Sequence, residues 1–252
     1  MTRKVLITGG SGKFGLRFID CFLSKGDTVI FTASSESSVN SVLDRFGSHK
    51  ERIFGFVSDF IDKDFSKKLI LMLSEKKLEP DVLINNARSL STLKVEDCGI
   101  VNRDNFVDEY VIDVVAPYEL VMGLVNNKKC QLKSIVNISS QYGVVAANPQ
   151  LYDKPSIESP IHYGVAKSAL GHLTKELAVR LAAKEIKVNC IAFGGVEGRV
   201  NDDFKQRYER LTPIKRMLRE DEIVGPVDFL LSSNSSGMTG QTIQVDGGWS
   251  IW

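Results

Sequence analysis

The chain lacks the features that mark several large protein classes. Its 252 residues contain only four cysteines. Cys21, Cys98, Cys130 and Cys190 show neither a CxxC spacing nor a companion histidine at metal-ligand intervals, so neither a disulfide framework nor a zinc site is suggested and reduced thiols are expected. No apolar run reaches 18 residues, and the stretch from Met1 into Val5-Leu6-Ile7 is too short for a signal-peptide core, so the expectation is a cytoplasmic protein with no membrane partner. An excess of one charge is also missing. Thirty-two basic side chains against 31 acidic ones leave +1, which gives no field for nucleic acid or an anionic bilayer and points to a small-molecule partner. Internal repeats, low-complexity segments and a domain boundary are absent too.

What is present belongs to an ordinary globular chain: 43% hydrophobic, 25% charged and 8% aromatic residues, at a length where one domain buries roughly 70–75% of its unfolded surface. Short apolar runs alternate with stretches of helical period. That pattern predicts βαβ units: an α/β, Rossmann-type, doubly wound fold with a seven-stranded parallel sheet flanked by helices on both faces. The predicted strands are Lys4–Thr8, Thr28–Thr32, Ile53–Val57, Val82–Asn85, Ser134–Ser139, Lys187–Ala192 and Gln241–Val245. The longest predicted helices are Asn105–Val125 and His162–Ala183, the second with Leu170, Leu173, Leu177 and Leu181 on one face. Two inserts interrupt the alternation, at Arg88–Asn102 and Ala147–Pro160. Residues 1–252 are expected to form a single domain holding cofactor site, catalytic site and substrate loops together.

The segment Thr8-Gly9-Gly10-Ser11-Gly12-Lys13-Phe14-Gly15 follows the first predicted strand and opens a helix. Gly10, Gly12 and Gly15 fit G-x-G-x-x-G, in which glycine allows a tight turn and lets backbone N–H groups approach a pyrophosphate at the positive helix end. Asp59-Phe60 and Asn85-Asn86-Ala87 fall beyond later strands, where ligands sit in such sheets. Read alone, Asp59 serves equally as a helix cap and the asparagines as turn residues.

Tyr163-Gly164-Val165-Ala166-Lys167 puts a phenol and an ammonium four residues apart at a predicted helix start, on one face. Moving a hydride to or from an oxygen-bearing carbon needs a group that exchanges the hydroxyl proton near neutral pH. Free tyrosine, with a pKa of about 10, is a poor base, and a cation about 4–5 Å away supplies roughly 3–4 kcal/mol toward lowering it. Ser139-Ser140 ends the strongly apolar strand Ile135–Ile138, where a hydroxyl can face the same crevice as the glycine turn; two strand-end serines satisfying backbone groups is the alternative reading. His162 titrates near neutrality, but a solvent-facing or loop-covered histidine at a helix start accounts for it more simply.

Taken in order, these segments resemble the short-chain dehydrogenase/reductase family over nearly the whole chain. Thr8-Gly9 with Gly15 resembles its glycine motif, Asp59 its adenine-contacting acid, and Asn85-Asn86-Ala87 its NNAG segment. Ser140 matches its catalytic serine, which orients and polarises the substrate oxygen. Val188–Val196 resembles the segment that brackets the nicotinamide, with backbone contacts expected from Gly194 and Val196, and Val245-Asp246-Gly247-Gly248 resembles its closing turn. The resemblance implies catalysis by Ser140, Tyr163 and Lys167, the last two also holding cofactor, and a proton relay near Asp113, where the family usually has asparagine. It also implies a homodimer or homotetramer, to which Trp249-Ser250-Ile251-Trp252 could contribute. There are three further departures from the family: the glycine spacing, Arg88 in place of glycine, and Phe193 in place of proline.

The second strand ends in Phe31-Thr32-Ala33-Ser34-Ser35, with no carboxylate before Glu36 to bind a ribose 2′-hydroxyl and repel a 2′-phosphate. With Lys13 and Arg17 near in sequence, NADP(H) is favoured over NAD(H), and Ser34 and Ser35 join the expected cofactor contacts. Ser140 and Tyr163 are separated by 23 residues, longer than the family norm, because Ala147–Pro160 adds a candidate substrate wall. That insert loosely resembles those of relatives acting on sugars in surface-glycan or flagellin modification. Three readings stand: a sugar or sugar-derivative oxidoreductase, a 3-ketoacyl-thioester reductase suggested by Thr32–Glu36, and a silent cofactor sensor or scaffold. The basic residues from Lys205 to Arg219 read as a solvated helix face or as a landing site for an acidic substrate.

Overall fold

The apolar runs pair into one sheet. A computed structural model describes residues 2–198 and 200–251; Trp252, part of the expected hydrophobic terminus, lies outside them. The strands are β1 (Lys4–Ile7), β2 (Thr28–Ala33), β3 (Ile53–Val57), β4 (Val82–Asn85), β5 (Ser134–Ser140), β6 (Lys187–Phe193) and β7 (Thr242–Val245). All pairings are parallel, in the order β3-β2-β1-β4-β5-β6-β7. Both faces are covered, which is why β5 is buried at every residue and reads as a continuous apolar run.

Nine α-helices stand among the described residues: α1 (Lys13–Ser24), α2 (Glu36–Arg45), α3 (Phe65–Glu75), α4 (Arg103–Tyr110), α5 (Ala116–Asn126), α6 (Pro155–Glu158), α7 (Ile161–Leu181), α8 (Asp202–Leu211) and α9 (Val224–Leu231). Phe18 and Phe22 of α1, Val39 of α2 and Leu230 of α9 pack on one face of the sheet. Leu69 of α3, Leu120 of α5 and Leu177 of α7 pack on the other. The chain reverses direction across the sheet between β1 and β4, so the loops after β1, β4 and β5 open into one crevice at their carboxyl ends. None of the described helices is long and apolar enough to cross a membrane.

One predicted helix differs. The expected Asn105–Val125 helix is α4 and α5 joined by a π-helical turn at Val111–Val115, in which the Ala116 N–H reaches back five residues to the Val111 carbonyl. Pro117 is the physical reason: it has no N–H to give the Asp113 carbonyl, so the α-helical ladder cannot run through this point. Asp113 therefore sits on a widened turn.

The Ala147–Pro160 insert is anchored. Leu151 is fully buried in a small separate cluster with Tyr208, Met217 and Trp249, where Tyr208 and Trp249 stack with ring centroids 4.6 Å apart.

Candidate active site

The turn between β1 and α1 is made by close approach of backbone. Gly9 has φ +68°, and a Cβ there would lie 2.7 Å from the Ala87 Cα; a Cβ on Gly15 would lie 2.4 Å from the Gly9 carbonyl oxygen. Gly12 is different: its Cβ would meet only the Gly9 oxygen, at 3.3 Å, and Ser11 and Gly12 are exposed at the tip. Gly12 caps α1 with no side-chain hydrogen bond, so the N–H groups of Lys13, Phe14 and Gly15 have no carbonyl one turn earlier to bond. A cradle of this kind, open where a side chain would fill it and lined by unsatisfied donors at a helix start, fits a dinucleotide pyrophosphate.

The remaining expected cofactor residues fall around that cradle. Thr8 Oγ1 accepts from the N–H groups of Asn86 (2.9 Å) and Ala87 (3.0 Å), and Asn86 Nδ2 donates to the Thr8 and Gly9 carbonyls. These two side chains therefore fasten β1 to β4. The Gly10 N–H donates to the Thr32 carbonyl at 2.8 Å. Phe14 turns inward, edge-on to Phe193 at 5.4 Å, so the phenylalanine at position 193 packs under the glycine turn. Ser34 and Asp59 are exposed at the ends of β2 and β3; Ser35 caps α2 through the Ser38 N–H; Phe60 is buried against Phe65. Gly194 donates to the Val245 carbonyl and Val196 bridges to Leu218. Lys13 and Arg17, read as neighbours of a 2′-phosphate, both bind Glu220, Arg17 at 2.6 and 2.9 Å and Lys13 at 3.4 Å.

The reacting end is built from side chains. Lys167 is almost fully buried; its ammonium donates to Asp113 Oδ1 at 2.8 Å and to the Ile138 carbonyl at 3.2 Å. Burial opposes the charge, but Asp113, Tyr163 and the hydrogen bond outweigh it and hold the pKa above the ordinary lysine value. The same nitrogen lies 5.7 Å from the centre of the Tyr163 ring, over which the Arg88 guanidinium also sits at 5.5 Å. Ser139 donates to the Lys167 carbonyl at 3.0 Å and so anchors α7. Ser140 accepts from the Tyr142 N–H at 3.2 Å and keeps its own proton available. Thr8, Asn85, Ala87, Ile112, Asp113 and Lys167 line one narrow space beside the lysine, at the carboxyl ends of β1 and β4.

Tyr142 and Tyr152 do not compete as bases. Their hydroxyls share a hydrogen bond of 2.6 Å, and burial pushes both pKa values up. That bond joins the insert to the turn after Ser140, and α8 closes the arrangement: Arg207 binds Asp153 and the Leu151 carbonyl, and the Tyr208 hydroxyl donates to Gln141 and accepts from the Gly195 N–H. The Lys205–Arg219 charges are largely answered locally, Arg216 by Glu222 and Arg219 by Asp221, as a solvated face requires.

Of the two expectations for His162, the loop-covered one holds: it is fully buried under the Arg88–Asn102 loop, with Nε2 2.8 Å from the Thr92 carbonyl. One feature escaped the sequence reading: Glu109, also buried, bonds the Thr92 hydroxyl. Its four-residue spacing from Asp113 was the available signal.

A family model described as enoyl-(acyl carrier protein) reductase matches residues 15–250. The post-translational flagellin modification protein A of Campylobacter coli is 36% identical over 124 residues, which is 49% of this chain and 48% of that protein. A 3-oxoacyl-(acyl-carrier-protein) reductase of Thermotoga maritima is 28% identical over 96% of each chain. The matches span about half the length of two of the curated relatives, 48% and 43%. Among solved structures, a short-chain dehydrogenase of Leptospira borgpetersenii with bound NAD+ superposes with a TM-score of 0.85 at 31% identity, over 100% of this chain and 94% of that one.

Proposed function

The chain belongs to the short-chain dehydrogenase/reductase family, and we propose that within it the protein transfers hydride between a nicotinamide dinucleotide and a carbon bearing hydroxyl or carbonyl oxygen. The observation that carries this reading is a buried Lys167, fixed by Asp113 at 2.8 Å and set 5.7 Å from the Tyr163 ring, at the same carboxyl-end side of the sheet as the glycine cradle.

A bound nicotinamide supplies or accepts the hydride. The chain's residues do the rest. Backbone N–H groups of the α1 start hold the pyrophosphate. Ser140 donates to the substrate oxygen, and Tyr163 gives it a proton in reduction or takes one in oxidation. Lys167 and Arg88 flank the Tyr163 ring at 5.7 and 5.5 Å, so two positive charges stand beside the residue that exchanges the proton. Asp113 positions Lys167. A silent sensor or scaffold has no use for a lysine held this way.

The substrate proposed is a sugar or sugar derivative. Support comes from the anchored insert, which walls the approach to Ser140, and from the partial likeness to a flagellin modification protein. The second reading, 3-ketoacyl-thioester reduction, is supported by the full-length likeness to a 3-oxoacyl reductase. NADP(H) is proposed as the preferred cofactor because no carboxylate precedes Glu36 at the end of β2. Since Lys13 and Arg17 are held by Glu220, the preference rests on missing repulsion and is expected to stay within about tenfold, roughly 1.4 kcal/mol. A single cytoplasmic domain acting as a homodimer or homotetramer is part of the same proposal, supported by the exposed Val107, Tyr110, Tyr118 and Val179.

The test is a panel of sugar derivatives, 3-ketoacyl thioesters and simple alcohols, followed through reduced-nicotinamide absorbance with both cofactors and paired with competitive cofactor titration. Turnover of sugar derivatives alone supports the first reading, and thioester turnover alone the second. Tight cofactor binding with no turnover anywhere would overturn both. A clear preference for NAD(H) would overturn the cofactor choice.

A further inference from the structure

The helix that carries Asp113 brings a second carboxylate to the same buried network. Glu109 is 1% exposed, Asp113 2% and His162 0%. Each leaves one side-chain atom without a protein partner: Glu109 Oε1, Asp113 Oδ2 and His162 Nδ1. Thr92 links two of them, its hydroxyl to Glu109 and its carbonyl to His162.

Arg88, the other cation near Glu109, is exposed to solvent, so within the buried cluster one ammonium faces two carboxylates. With Glu109 ionised, the Lys167–Asp113–Glu109 cluster would carry a net negative charge in the interior, which costs several kcal/mol; with Glu109 protonated the cluster is neutral. The hydrogen bonds can serve the protonated form. The Thr92 hydroxyl donates to Glu109 Oε2 when that group is a carboxylate; because it also lies 3.3 Å from the Ser89 carbonyl, it can turn outward to donate there and accept from Glu109 once the carboxyl is protonated. The groups acting on Glu109 are Asp113 from the π-helical turn, Lys167 from α7, and Thr92 and Arg88 from the loop after β4; His162 of α7 meets the Thr92 carbonyl. Burial first and the Asp113 charge second push Glu109 up to about 7, against the opposing pull of Thr92, Lys167 and Arg88.

We propose that Glu109 and Asp113 form a buried acid pair holding one exchangeable proton, and that this proton resets the Lys167–Tyr163 couple after each turnover. The second half rests on the oxidoreductase reading; the first does not. In carbonyl reduction the Tyr163 O–H bond breaks as the substrate oxygen gains its proton and the dinucleotide gives the hydride. The phenolate takes a proton from the Lys167 ammonium, Lys167 takes one from the acid pair, and the pair regains one from bulk water. The balance is one hydride from cofactor and one proton from solvent. Glu109 is thus a positioning and proton-holding residue that touches neither substrate nor cofactor.

The deciding experiment follows the carbonyl stretch of protonated carboxyl groups by infrared spectroscopy across pH in the cofactor-free protein. A buried carboxyl band that disappears with an inflection near 7 is expected. Glu109→Gln, which preserves shape, should abolish that inflection, and Asp113→Asn should move it to lower pH because a charge that raises it is gone. Absence of any carboxyl titrating between about pH 6 and 8, or its survival in Glu109→Gln, overturns the acid pair. The relay is read separately from kcat against pH: the wild type should show an inflection near 7 that Glu109→Gln loses, with no matching change in the KM for cofactor. A profile unaltered by the substitution overturns the relay. If the wild type turns over no substrate, the oxidoreductase reading fails while the infrared band still decides the acid pair.

Discussion

Around Gly9–Gly15 the chain works with its backbone: added carbons would strike the Ala87 Cα at 2.7 Å and the Gly9 oxygen at 2.4 Å, and the groups offered to a ligand are N–H donors at a helix start. Around Lys167 it works with side chains, in a buried set of an ammonium, two carboxyls and a hydroxyl whose charges must cancel. The contrast teaches where each region is vulnerable. The first should fail when atoms are added and tolerate charge changes nearby. The second should accept changes of shape that conserve charge balance and fail when that balance is broken.

The largest effect expected is that of Lys167→Met, which leaves Asp113 buried without its counter-ion and should cost about 3–5 kcal/mol in urea unfolding. Removing both charges in Lys167→Met/Asp113→Leu should restore most of that loss; if the double variant is as unstable as the single, charge balance is not what governs this region. Next comes the glycine turn. Gly15→Ala should cost roughly 1–3 kcal/mol and weaken cofactor binding, whereas Gly12→Ala, with only a 3.3 Å contact to answer, should weaken cofactor binding with under about 1 kcal/mol lost in stability. Equal stability losses for the two would break the comparison at the backbone end.

A third effect is a change of slope with pH. The folded-state value of Glu109, about 7, lies above its ordinary 4.5, so the folded protein holds this proton more tightly than the unfolded chain does. Its contribution to stability is full below about 4.5 and falls away as pH rises to about 7. Urea unfolding of wild type and Glu109→Gln at pH values spanning that window should show the wild type losing stability relative to the variant as pH rises. Parallel curves would remove Glu109 from the charge balance.

The backbone end was the more legible in sequence. Glycine is itself a statement about backbone, and the whole motif lies within eight residues after a strand. All seven strands could be read because a sheet covered on both faces needs apolar runs, and the four-residue spacing of Tyr163 and Lys167 holds wherever a helix forms. What could not be read depends on distance along the chain. Glu220 is 203 residues from the Arg17 it binds, so the use of Lys13 and Arg17 could not be known, and Thr92 reaches His162 across 70 residues. Arg88 stood as an unexplained departure until the fold laid it over Tyr163. The Asp113 substitution was visible, but its partner Glu109 was not, because a glutamate on a helix ordinarily faces water and only the packing of α7 and the Arg88–Asn102 loop buries it.

The central claim is that cofactor binding and proton transfer belong to these two separate regions, and Tyr163→Phe tests it most directly. Cofactor dissociation constant and turnover should be measured on the same preparation. A dissociation constant within about threefold of wild type, together with a fall in kcat of at least about a hundredfold, is the predicted result. Retained turnover, or cofactor binding lost along with it, would contradict the account.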